Sequence, residues 1–498
     1  MTRRKRPLEL ASYHQIKTLI LSIMGRNNGR CRVLMPGNCA TLVDITNFIC
    51  REAQSIAAHG HLELVSILPM GSPDDMTEAS NFIEPITGFP GRKNRDALNE
   101  GNGLIFLDNL SNVVTALADD WHADLIIGHA AEEKDGLFSM TLDGSLMRIA
   151  YLKQIAGRET IRVMVVNKHM PRAAVMRLQE KWLDPAHPRY PDPIWSEVDL
   201  VTGCAIHRND IDYLIYHDAP LLTFKSVEGG KKEVWEKIAK QPIEAGLIIP
   251  GKTDCQVGVG SSGLFWSVLA ESGITDVGCD SELGSEELAL AIEKGVVTSR
   301  NRPRSSAFYG KHILGIVAGG PRLNALVHDN PSFAILDQHW VNRYRWRGDH
   351  SFGFNAGLLA NIFGDVASTS YVDEDGHVIM LSANGGQQEL ILLIVARPYG
   401  NAVIGLPSRR FNKATKQYES TIRATLGDAR VTTPAECGHH LATEHGIVKL
   451  RHGDTLHNAR AIIETLVHPD FREEVAREAQ KRYPHLRRLY PVGSRIAA

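Results

Sequence analysis

Short apolar runs of strand length alternate with longer amphipathic stretches along most of the chain. Arg32–Met35, Leu62–Leu68, Leu104–Leu107, Leu125–Ile127 and Ile161–Val166 read as strands, with helices over Ala40–Ala58 and Ser111–Ala118 between them. That order predicts βαβ units and parallel sheets. A polar stretch, Lys225–Glu233, has the glycine and charge content of a connector. Beyond it Gly246–Ile249, Cys255–Val259, Ile313–Ala318, Val378–Leu381, Leu390–Val395 and Ala402–Leu406 read as further strands among helices. The expectation is an α/β protein of two domains, 1–224 and 234–498, joined by 225–233, each a largely parallel sheet flanked by helices.

Length agrees with this division, because 498 residues exceed one ordinary core. Lys plus Arg total 55 against 57 Asp plus Glu, a net charge of −2, which argues against a protein that coats nucleic acid. No apolar run approaches the roughly 18 residues that span a bilayer, so no membrane span is expected. The basic start, Met1 to Pro7, lacks the apolar region of a signal peptide and reads as a solvated tail. Seven scattered cysteines without a C-x-x-C pair suit a reduced, cytoplasmic protein with no structural zinc.

Gly258-Val-Gly260-Ser-Ser-Gly263 spells G-x-G-x-x-G between a strand and the helix expected at Leu264–Glu271, with Asp280 and Glu282 about 20 residues on. Three readings fit this turn: a dinucleotide site, a cradle for another anion on helix N–H groups, or close strand–helix packing. The acidic pair lies among turn residues, Gly278 to Gly284, where a dinucleotide fold places an apolar strand.

From Glu282 through Ala291–Thr298 the sequence resembles the acetyl-CoA hydrolase/transferase family, which includes 4-hydroxybutyrate and succinyl-CoA:acetate CoA-transferases. There a G-x-G-x-x-P turn precedes H-T/S-E and a helix ending E-x-G-V-V-T, which aligns Glu282 with the family's nucleophile. Thr443–Ile447, Leu450-Arg451 and His468–Glu473 resemble its T-E-Y-G-V-A-x-L-R-G and A-H-P-D-F-R-x-E signatures. Asn94–Gly101, Asp135-Gly136, Asn167, Asp210–Tyr213, Asn355, Gly364 and Gly385-Gly386-Gln387 extend the match over nearly the whole chain.

The resemblance implies two α/β domains with the active site in the cleft between them, and a homodimer. It implies an acyl-CoA:carboxylate CoA-transferase that takes acyl-CoA and a small carboxylate as substrates, with no metal and no permanently bound cofactor. Glu282 would attack the acyl-CoA carbonyl to give a mixed anhydride, and the CoA thiolate would return to form a glutamyl-CoA thioester. Glutamate suits this role because its ordinary pKa of about 4.3 leaves it ionised at neutral pH. Gly258 and Gly260 would form the floor of the site, while Gly385 and Gly386 would serve the CoA thioester and its oxyanion. Glycine lets the main chain approach a ligand closely. Asn355 is either an amide donor to the same carbonyl or a turn residue. Arg451 is either a CoA or inter-domain contact or a structural ion-pair partner.

The chain departs from the family pattern at several positions. Asp280-Ser281 replaces His-Thr, Gly263 the proline, Ala383 the first glycine of G-x-G-G, Leu359 an acidic residue, and Ala130-Ala131 a Ser-Pro. In an extended segment Asp280 and Glu282 share a face, and a second carboxylate there disfavours ionisation of the nucleophile. An acyl-CoA hydrolase, a non-catalytic CoA-binding homologue and an NAD-dependent oxidoreductase are the competing readings. His439, His440, Glu444 and His445 lack zinc-helix spacing and read as structural. Arg343-Tyr-Arg-Trp-Arg347 reads as an edge strand or helix face, with a CoA contact as its alternative, and Lys252 has no P-loop around it.

Overall fold

The computed structural model describes residues 7–71, 76–153, 159–179, 199–224, 227–258, 260–304, 306–344, 348–413, 415–451 and 453–489. Residues 1–6 of the basic start, Lys225 and Ser226 of the expected connector, Val259, and Arg345 to Arg347 lie outside them.

The chain forms two compact units, one of residues 1–224, 279–289 and 298–345, the other of 225–278, 290–297 and 346–498. The glutamate segment, assigned by sequence to 234–498, is therefore counted with the first unit. The first unit holds an eight-stranded sheet in the order Leu8–Glu9, Tyr213–His217, Ile161–Asn167, Leu125–Ala130, Arg30–Leu34, His61–Ser66, Glu84–Thr87, Leu104–Ile105. Every neighbouring pair is parallel. The central strand Leu125–Ala130 is buried throughout, as a strand covered by helices on both faces requires. Ile16, Ile20 and Ile23 of the helix His14–Arg26 pack with Val33, Leu64, Ile127 and Val163 in one core. The same unit contains a parallel ladder of Gly278–Gly284, His312–Val317 and Phe333–Ile335.

The second unit holds Asp254–Val257, Ser351–Ala356, Asn401–Gly405 and His440–Thr443, paired parallel in that order, and an antiparallel strand, Gly446–Lys449, beyond the last. Ile391, Ile394, Ile404, Leu441 and Ile462 belong to its main core.

Four sequence readings change. Leu390–Val395 is the end of a helix, Gln387–Val395: Leu390, Ile391 and Ile394 are buried at helical spacing while Leu392 is 48% exposed. A short apolar run does not by itself separate a strand from a buried helix. Gly246–Ile249 is no strand, because the helix Gly230–Glu244 runs almost up to it and Gly246, at φ +69°, turns the chain into a loop that Thr253 Oγ1 holds through Ile249 N–H. That helix also absorbs Gly230–Glu233 of the expected connector. Gly278–Gly284, read as turn-rich, is a buried parallel strand in which Gly284 lies under Leu314 and Leu323. No helix among the described residues is long and apolar enough to cross a membrane. All seven cysteines are buried, and none is joined in a disulfide.

Candidate active site

Glu282 stands on the parallel strand Gly278–Gly284, between the register pairs Ser281–Leu314 and Leu283–Ile316. Its neighbours Ser281 and Leu283 are buried, and Glu282 is half-buried. Oε2 accepts a 2.8 Å hydrogen bond from Asn342 Nδ2, and Asn342 Oδ1 accepts one of 2.6 Å from Gln338 Nε2. Asn342 lies in the π-helical turn Trp340–Tyr344, and both amides are buried. Such turns often occur where a helix is adapted to function. Asp280, two residues before Glu282 on the same strand, is fully buried. Arg302 stiffens the base of the strand by donating to the carbonyls of Cys279, Phe308 and Lys311 at 2.8–3.2 Å.

The second unit brings together Gly258, Asn355 and the Gly385-Gly386 turn. Gly258 follows the strand Asp254–Val257, and its N–H donates to Phe354 O at 2.9 Å. A Cβ at 258 would lie 2.6 Å from Asn355 Oδ1, so glycine is required there by close packing. Asn355 exchanges both amide bonds, 3.3 Å each, with buried Gln256 on the adjacent strand. Gly260, at φ +75°, begins the single 3₁₀ turn Gly260–Gly263 that leads into the helix Leu264–Glu271. Gly385, at φ +63°, and Gly386 precede the helix Gln387–Val395. Gln387 ties that turn to the Asn355 strand, donating Nε2 to Ala356 O at 3.0 Å while Oε1 accepts from Ser368 Oγ at 2.8 Å. Each of these groups lies near the carboxyl end of a parallel strand, the usual ligand edge of an α/β sheet.

Arg451 is not among them. The strand before it, Gly446–Lys449, runs antiparallel and pairs Lys449 with His440, so the chain emerges at the opposite edge, three strands or about 14 Å across from Asn355. Arg451 is exposed, its backbone clamped by Asn458 at 2.8 and 2.9 Å.

The dinucleotide reading loses its ribose ligand, since Asp280 is fully buried in mid-strand and Glu282 Oε2 is taken by Asn342. The histidines near the C-terminus pack separately. Burial lowers the pKa of His439 and His440 to about 4, and Glu444 accepts from Ser408 N–H and Oγ at 2.9 and 2.6 Å. Among the described residues, ligand atoms converge at His61, Glu63 and Glu84 and at Asp373, Asp375 and His377. Glu63 is already held by Trp121 Nε1 at 2.7 Å and Arg32 Nε at 3.3 Å, and Asp373 Oδ1 by the N–H groups of Asp375 and His377.

Sequence reasoning missed Asn342, Gln338 and Gln256. The first two carry a signal, two amides four residues apart beside apolar Trp340 and Val341, but the basic cluster that begins at Arg343 drew attention away from it.

With the Gly385-Gly386-Gln387 turn seated at a strand end, comparison with known proteins becomes informative. Residues 319–479 match the acetyl-CoA hydrolase/transferase C-terminal domain. Over that stretch the chain resembles this family. Over most of its length, that segment included, the chain is 28% identical to a 4-hydroxybutyrate coenzyme A transferase of Clostridium kluyveri, over 89% of this chain and 92% of that one. Its fold matches RipA from Yersinia pestis with a TM-score of 0.73 at 22% identity, covering 92% of this chain and 94% of that one. It also matches a 4-hydroxybutyrate CoA-transferase from Porphyromonas gingivalis with a TM-score of 0.65 at 16% identity, covering 95% and 100%. The family match and the transferase relative support an enzyme of the CoA-transferase kind, and the solved structures show the fold.

Proposed function

We propose that the chain transfers coenzyme A between an acyl-CoA and a short carboxylic acid, with Glu282 as covalent nucleophile. The observation that carries this reading is the half-buried carboxylate at the family's glutamate position, one oxygen held by a buried amide donor. Glu282 attacks the acyl carbonyl and the CoA thiolate leaves, giving a mixed anhydride. The thiolate then attacks the glutamyl carbonyl, releasing the donor carboxylate and leaving a glutamyl-CoA thioester. An acceptor carboxylate runs the steps backwards. Splitting one difficult exchange into covalent steps lowers the barrier.

Each tetrahedral intermediate needs donors at its oxyanion. The side-chain donor role expected of Asn355 falls to Asn342 in this reading, because Asn342 touches the glutamate and both ends of the Asn355 amide are engaged by Gln256. The glycine turns at 258–260 and 385–386 serve CoA in the same reading, and Arg451 has no part in it. A homodimer and a cytoplasmic location belong to the proposal; light scattering near twice 55.0 kDa would support the dimer.

Incubation with a panel of short acyl-CoAs, with and without carboxylate acceptors, tests the chemistry. The expected result is a CoA adduct on Glu282 by peptide mass spectrometry, acceptor-dependent exchange, and loss of both in Glu282→Ala. Exchange that persists in Glu282→Ala sinks the covalent model, and turnover that ignores the acceptor makes the enzyme a hydrolase.

A further inference from the structure

Gln338 is buried, and its place is set from three sides. Asp337 before it pairs with Arg148 at 2.8 Å, and His339 after it meets Thr115 Oγ1 at 3.3 Å. Beneath it lies Gly315, where a Cβ would come within 2.1 Å of Gln338 Oε1. Any other residue at 315 would push the amide aside. So held, Gln338 Nε2 donates to Asn342 Oδ1, and Asn342 Nδ2 donates to Glu282 Oε2.

The direction of this chain follows from its last member. An ionised carboxylate only accepts hydrogen bonds, so Asn342 must present Nδ2 to it and Oδ1 to Gln338, which must then present Nε2. Each donation polarises the next. The two ends of an asparagine amide have nearly the same shape, so hydrogen bonds alone decide which end faces Glu282.

We propose that Gln338 is a positioning residue that keeps the donor end of Asn342 facing Glu282 throughout the reaction. The proposal rests on the reading of Glu282 as nucleophile. In the resting state the carboxylate and Gln338 orient Asn342 together, one from each end of the amide. Once Glu282 is acylated its charge is gone, and a neutral acyl oxygen is the weaker acceptor. Gln338 then holds the amide until negative charge returns to the glutamyl carbonyl.

Single and double variants test this in the full chain. Gln338→Met, of similar volume, lowers kcat roughly tenfold with KM little changed. Gln338→Glu, which sets an acceptor against Oδ1 and turns the amide round, lowers it roughly a hundredfold. In an Asn342→Ala background Gln338→Met has no further effect, because its action passes through Asn342. A second readout needs no turnover: the rate at which a water-soluble carbodiimide and an amine label Glu282, followed by peptide mass spectrometry. Weaker donation to the carboxylate favours its protonated, reactive form, so Gln338→Met labels several-fold faster, and only when Asn342 is present. Loss of kcat that is equal in both backgrounds, or labelling indifferent to residue 338, overturns the proposal. Labelling that responds as expected in a protein that exchanges no CoA keeps the relay and removes the transferase reading instead.

Discussion

Gly258 shows how much one missing Cβ decides. Alanine there would meet Asn355 Oδ1 at 2.6 Å and Ser262 Oγ at 3.2 Å, breaking the paired amides of Gln256 and Asn355. Gly258→Ala is expected to destabilise the protein by about 1–3 kcal/mol, read as a drop of several degrees in the thermal midpoint. A turn that merely cradled an anion in open space would tolerate the change. The glycines themselves were visible in the sequence, and Glu282 stood out there by resemblance, because its ungapped spacing to Glu293-Lys-Gly-Val-Val-Thr298 is a one-dimensional trace. Asn342 left none of that kind: it meets Glu282 from 60 residues away, across a turn whose π-helical form no spacing rule announces.

At the level of elements, the helix Gln387–Val395 depends on its first residue. Gln387 satisfies Ala356 O and receives the hydroxyls of Ser368 and Thr433 at 2.8 and 3.4 Å. Gln387→Leu leaves those groups unpaired in a buried place and is expected to cost about 2 kcal/mol. Hydrogen exchange checks it: the loss concentrates in amides of 385–396 and of the Ser351–Ala356 strand, and uniform loss across the second unit would contradict the assignment. The same helix was misread as a strand. Its six apolar residues are too few to show a helical period, and the Gly385-Gly386 turn that starts the helix is defined by its tertiary setting. Conversely, the strands Leu125–Ala130 and Ile161–Asn167 were legible because burial on both faces leaves short apolar runs in them, Leu125–Ile127 and Val163–Val166.

For the whole molecule, buried titratable groups set the response to acid. Burial lowers the pKa of His129, His312, His439 and His440 to about 4, so their neutral forms are stabilising above the ordinary value of about 6.5, and this is lost as pH falls through 4. Burial acts oppositely on Asp143, raised to about 7: its protonated form is favourable at low pH, and that contribution is lost as pH rises from about 4 through 7. The four histidines outweigh Asp143 and Asp337, the other buried carboxyl that burial pushes up, so the thermal midpoint should fall as pH drops from 6.5 to 4.5, and fall more steeply in Asp143→Asn. A flat profile in that window would show that the four histidines are not buried neutral. None of these shifts follows from composition, which gave a near-zero net charge and no hint of which side chains are dry. By itself the sequence determined the α/β class, most of the strands and the position of the candidate nucleophile, because local hydrophobic period and short motifs are written in neighbouring residues. Tertiary structure alone decided which amide meets Glu282, that Arg451 emerges at the far edge of its sheet, and that 279–289 groups with the first unit. Those outcomes depend on strand direction and on contacts between distant segments, which only the folded chain brings within hydrogen-bond range.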